Sequence, residues 1–331
     1  ISSGKKVVVS ALLFPKFKKA STFEGNKAET VINAVKQTHI DSGLKDKGVK
    51  LRFLDPLKPK NNRYRVTGTG KKRSGMNMFK DIVDFMYVEQ VRHGNNAFFT
   101  AKDIKLPKIT FEEFIKLKDN KKLLKQKMKE TATYIKGNSV ILPGSKSQAA
   151  GFHELGHAMN YNLSKFGKTL QKCRLIALFL PGLITTYGAV TRASKPKEEG
   201  KELNARQKTH NFVRDNAGKL AFLASTPMLL EECMATIKGQ KFAKKLLSPE
   251  LAKKVLKGNA LAYLTYLSVG VLGAIAARTA VAVKDGAINR KEAKRAEKAE
   301  KAEKAEKAEK AQEKLEKKEE EIQSLKTLDS K

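Results

Sequence analysis

The stretch GFHELGHAMN, residues 151–160, places two histidines four residues apart with a glutamate directly after the first. On a helix, residues four apart lie on one face, one turn above the other. His153 and His157 can therefore aim two imidazoles at one point. That suits a tetrahedral zinc ion, whose bonds to histidine nitrogen are about 2.0–2.1 Å long. Glu154 is rotated by about 100° from His153, so it cannot share the ligand position but can reach a water on the metal. Zinc lowers the pKa of such a water toward neutrality, and a carboxylate can take its proton as it attacks a carbonyl. The same spacing on a helix marks metal sites that hydrolyse peptide bonds.

Zinc also needs a third protein ligand and an open fourth position. The downstream candidates are Glu198, Glu199, Glu202, His210, Asp215 and the pair Glu231–Glu232. The pair is favoured, with Glu232 as the ligand and Glu231 as its alternate. It follows an apolar segment directly, where a solvated carboxylate is out of place. Ala235, three residues after Glu232, is small enough to let its helix approach the histidine helix. His210 is a second alternate, or a group that polarises a substrate carbonyl. The plainer reading of the motif is a helix with two surface histidines. Ala149, Ala150, Phe152, Leu155, Ala158 and Met159 argue for a buried helix instead. Two buried imidazoles and a buried carboxylate are costly without partners.

Several elements must position these groups. Ser145 and Ser147 are candidate N-caps for the histidine helix. Gly156 weakens it by up to about 1 kcal/mol relative to alanine, which is intelligible if another backbone packs close. The preceding SVILPG reads as a strand edge to which an extended peptide could add. Further strands are expected in GVKLRFLD, RYRVTG and NAFFT, and in the N-terminal GKKVVVSALLFPKFKK. Helices are expected at TVINAV, at MFKDIVDFMYVEQVRHG with Gly94 as its C-cap, and from Thr110, where Glu113 completes a capping box. The fold class is α+β and predominantly helical. A small N-terminal sheet leads into the active-site helix, apolar helices follow, and a long charged helix ends the chain. The expected division is a mixed α/β region at 1–137, a core with apolar helices at 138–285, and a tail at 286–331.

Three apolar segments follow the motif, at residues 175–190, 220–230 and 260–277. Only the third reaches the length of an upright membrane span. The tail repeats Ala-Glu-Lys and sets Glu297–Lys301, Glu300–Lys304, Glu303–Lys307 and Glu306–Lys310 at helical i,i+4 spacing. A period of three drifts by about 60° per repeat on an α-helix, so alanine forms no continuous stripe. A solvated single helix is expected there, low in complexity and acting as a spacer, rather than a coiled coil.

The chain carries a net charge of +33, mostly from lysine. Lysine is a hydrated point charge, whereas arginine's fork suits bidentate phosphate and base recognition. The excess therefore suggests an anionic membrane surface or general solubility at least as much as a sequence-reading nucleic-acid binder. Cys173 and Cys233 are too few and too distant for a disulfide framework or a cysteine zinc site, and read as buried free thiols. The alternative function is a non-catalytic basic protein that binds anionic membrane or nucleic acid and carries a vestigial motif.

HELGH, then apolar segments, then Glu232-Cys-Met-Ala235-Thr236 resembles bacterial membrane-associated neutral zinc metallopeptidases of the gluzincin kind. More loosely it is similar to the integral-membrane proteases of the CAAX-processing and heat-shock type. The resemblance covers roughly residues 138–245. It implies a Zn²⁺ held by His153, His157 and Glu232, with Glu154 as the base. It also implies a peptide or protein substrate and a place at the bacterial inner membrane, the cytoplasm being the alternative. The sequence departs from that pattern in having no clear spanning helix before the motif and a short second apolar segment.

Overall fold

The computed structural model describes residues 20–54, 85–107, 111–117, 119–129, 131–144, 147–196 and 201–328. The chain forms two compact units. One comprises residues 1–182 with 221–274, the other 183–220 with 275–331. The strands expected in GKKVVVSALLFPKFKK and RYRVTG lie outside the described residues.

The first unit is built around a short sheet. Strands β1 (Lys50–Leu54), β2 (Phe98–Thr100) and β5 (Ser139–Pro143) order as β1-β5-β2. β5 runs parallel to β1 and antiparallel to β2. It is therefore the central strand, buried along its whole length, and not the edge that SVILPG was expected to form. The reason lies in its composition: Val140, Ile141 and Leu142 give it two apolar faces, so both must be covered. Val140 and Leu142 enter one core and Ile141 enters another. The second core gathers Leu54, Phe85, Val88, Val91, Ile104, Ile135 and Ile141. A separate antiparallel pair, β3 (Ile104–Pro107) and β4 (Thr131–Ile135), was not foreseen, because its segments are short and lysine-flanked.

Helix α1 (Gly25–Asp41) contains TVINAV and buries Val31, Ala34, Val35 and Thr38. Residues 85–92 form α2, which ends at Gly94 in the left-handed region (φ 70°), as its C-cap role requires. Helices α3 (Phe111–Leu117) and α4 (Lys121–Lys129) follow. The histidine helix is α5 (Ala150–Leu163), and its first eleven residues are buried. Of the two candidate serines, Ser145 lies outside the described residues and Ser147 does not cap it. Its N-cap is Ala149, without a side-chain bond, and Ser147 instead donates its hydroxyl to the Gly94 carbonyl. Tertiary contacts take over the task. Ala149 N–H donates to the Ser21 carbonyl, and Gln148 Oε1 accepts from Phe23 N–H.

The apolar segments belong to long helices: α6 (Lys165–Val190), α8 (Ala217–Leu246) and α9 (Pro249–Leu328). By length and composition each could cross a membrane, its most apolar 18-residue stretch having a mean hydropathy of 1.5, 1.3 and 1.8 in turn. The second segment is thus not short: residues 220–230 sit within a 30-residue helix that continues through Pro227. The short helix α7 (Ala205–Asp215) is held by a capping box between Asn204 and Gln207. In the second unit, buried Arg214 of α7 donates to the Thr191 carbonyl and pairs with Asp285. Over residues 291–310 the helix is solvated, and the expected Glu–Lys pairs form at 2.5–2.7 Å. Architecture and composition agree with a predominantly helical α+β fold. Both cysteines are free, but half-buried rather than buried.

Candidate metal centre

The site begins with two glycines. A Cβ on Gly156 would lie 2.1 Å from the Ala235 carbonyl oxygen, and one on Gly239 would lie 2.2 Å from the Phe152 carbonyl oxygen. Helices α5 and α8 therefore touch backbone to backbone, as Gly156 and Ala235 implied. Side chains flanking such a contact have little distance to cover. His153 and His157 project from one helix, Glu232 and Thr236 from the other.

Three ligand atoms converge. His153 Nε2 and His157 Nε2 are 3.0 Å apart. Glu232 Oε2 lies 3.1 Å from the first and 3.4 Å from the second. A tetrahedron with bonds of about 2.05 Å has edges of about 3.3 Å, so this triangle has the size of one metal coordination face. All three residues are buried, and together they could hold a metal ion.

The outward nitrogens are committed elsewhere. His157 Nδ1 lies 2.8 Å from Glu231 Oε1, and His153 Nδ1 lies 3.1 Å from the Thr236 hydroxyl. An N–H on each Nδ1 leaves both Nε2 lone pairs facing Glu232. Such partners fix the tautomer and ring orientation of metal-bound histidines.

Glu231 and Glu232 are thus separated in role by geometry, since adjacent residues on a helix differ by about 100°. Glu231 Oε1 accepts from His157, from Asn160 Nδ2 at 3.0 Å and from Gln171 Nε2 at 2.8 Å. Arg174 of α6 bridges the pair, donating to Glu231 Oε2 at 3.1 Å and to Glu232 Oε1. The other alternate, His210, is not in the cluster. Its ring nitrogens meet the Tyr187 hydroxyl and the Arg192 carbonyl in the second unit. Glu202 pairs with Lys208, and Glu198 and Glu199 lie outside the described residues.

Glu154 is buried beside the triangle, and its Oε2 accepts the Phe99 backbone N–H at 2.9 Å. Phe99 lies opposite Val140 of β5, and its N–H goes to Glu154 of the histidine helix rather than into the sheet. Burial pushes the Glu154 carboxyl above the usual carboxylate range, while the His157 and His153 imidazoles pull against it. Burial alone would lower His157, but Glu231 and Glu232 outweigh it and hold the imidazole well above its ordinary value. The donor set therefore favours positive charge between the helices. With Glu154, Glu231 and Glu232 ionised and Arg174 opposed, two negative charges remain, which one divalent cation would balance.

Sequence reasoning missed Arg174, Asn160, Gln171 and Tyr266. The hydroxyl of Tyr266 lies 3.5 Å from Arg174 Nη2. The one available signal was Arg174 itself, a charge at the border of an apolar stretch. His153, Glu154 and Tyr266 open on a cavity of about 200 Å³. No family model, curated protein or solved structure matches this chain.

Proposed function

We propose that this chain is a membrane-associated, zinc-dependent endopeptidase. The observation that carries the reading is the Nε2–Nε2–Oε2 triangle of His153, His157 and Glu232 with Glu154 buried beside it. Two imidazoles and one carboxylate are a donor set that zinc favours in hydrolytic sites. When bound, zinc supplies Lewis acidity toward a water and a carbonyl oxygen. The chain's own residues do the rest. Thr236 and Glu231 orient the imidazoles, and Arg174 fixes the Glu232 carboxylate. Glu154 takes a proton from the attacking water and returns it to the leaving amine, so the peptide bond breaks with no net change in the enzyme.

The test is metal analysis and peptide cleavage by the detergent-purified chain. The expected result is one equivalent of zinc and cleavage that a chelator abolishes. Glu154→Gln is expected to retain the zinc and lose cleavage by a factor of about 10²–10⁴. Full activity in His157→Ala would rule the reading out.

A further inference from the structure

The cavity that exposes His153 and Glu154 has a second polar wall, on helix α9. Ala252 and Val255 on this helix are buried in the core, and Ala262 and Tyr266, on the same face, line the cavity. Asn259 lies between them at helical spacing. It is 1% exposed and lines the cavity, yet neither its Nδ2 nor its Oδ1 has a partner among the described residues. The two other buried amides with an unpartnered atom each have their other end bound. Asn160 donates to Glu231, and Gln240 donates to the Ala252 carbonyl. Asn259 alone among these keeps both a donor and an acceptor for the cavity.

An apolar residue would fill this position at lower cost, since an unpaired buried amide loses its bonds to water without replacement. A carboxamide presents N–H and C=O side by side in one plane. An extended residue likewise presents its own N–H and C=O on one side, so the group complementary to the carboxamide in a peptidase cavity is the main chain of one substrate residue. We propose that Asn259 binds the main chain of one extended substrate residue, donating from Nδ2 to that residue's carbonyl oxygen and accepting its N–H at Oδ1. This rests on the peptidase reading above and adds a recognition residue to it. It makes the site a reader of peptide backbone, held between the α9 wall and the α5 helix, independent of side-chain identity.

Binding of two hydroxamates to the full-length, zinc-loaded chain in detergent, followed by calorimetry, tests this. Acetohydroxamate carries only the metal-binding head, whereas N-acetyl-trialanine hydroxamate adds a peptide backbone. The wild-type chain is expected to bind the peptide compound more tightly. Asn259→Leu, which keeps the bulk and loses both polar atoms, and Asn259→Asp, which loses the donor, are expected to weaken it by about tenfold or more. Both variants should bind acetohydroxamate as the wild type does, which also reports an intact site. Unchanged binding of the peptide compound in Asn259→Leu overturns the proposal. Loss of both compounds in both variants also overturns it, because Asn259 then serves the fold. If the wild-type chain holds no zinc and binds neither compound, the peptidase reading itself fails.

Discussion

Glu231 and Glu232 are chemically identical neighbours that the fold puts to different uses. Glu232 faces both Nε2 atoms, whereas Glu231 accepts from the far nitrogen of His157 and from Asn160, Gln171 and Arg174. The two should therefore respond differently to substitution. Glu232→Ala is expected to release the metal. Glu231→Gln removes an orienting charge and is expected to weaken affinity about 10–100-fold without abolishing binding. Competition against a chromophoric chelator measures both, and the reverse order would make Glu231 the ligand. At this scale the histidine spacing was legible, because i,i+4 geometry is local and needs no partner. The choice between adjacent glutamates rested on Ala235, a packing cue, and Glu232 is the one that lies within reach of both Nε2 atoms. Arg174 and Asn259 carried no motif, since each acquires its meaning from residues 57 or more positions away.

At the scale of elements, the metal cluster depends on how closely α5 and α8 approach. Gly156 meets backbone at Ala235, and backbone cannot rotate out of the way as a side chain can. Gly156→Ala is expected to force the helices apart, costing about 1–3 kcal/mol or more and reducing metal affinity in step. Gly286→Ala is the control. A Cβ there meets nothing within 4 Å, so the substitution should gain about 0.5–1 kcal/mol from helix propensity alone. Thermal unfolding in detergent with metal titration distinguishes the two, and wild-type behaviour in Gly156→Ala would contradict the close approach. The helix pairing was readable because a glycine in a helix has a cost that something must offset. The anchoring of α5 was not. Its start is fixed by Ser21, Phe23 and Gly94, distant groups that replace the serine cap local rules favour. The central place of β5 was also missed, although its unbroken apolar run Val140–Leu142 was the cue for burial on both faces.

For the molecule as a whole, charge and apolar surface point to different modes of attachment. Helices α6, α8 and α9 leave much apolar surface uncovered: Leu175, Ile176, Phe179 and Leu183 on α6, and Leu223 and Ile237 on α8, are more than half exposed. The ionisable cluster on α6 and α8 points inward, with Glu231 and Glu232 fully buried against Arg174 and the histidines. Apolar outside and charged inside is the arrangement a bilayer rewards, since intramembrane charges must pair or face the protein interior. Glu232 is a mid-helix residue of α8, so the candidate metal cluster sits within the length of that helix. The lysine excess offers a rival route, adsorption to an anionic surface, which salt screens to about 3 Å at 1 M. The two separate on extraction of a membrane fraction. Insertion predicts that the chain stays with the membrane through 1 M salt and alkaline carbonate and leaves only with detergent, because apolar burial strengthens rather than fades in salt. Release by 1 M salt alone would instead favour the basic binding protein, and with it the reading of the histidine motif as vestigial.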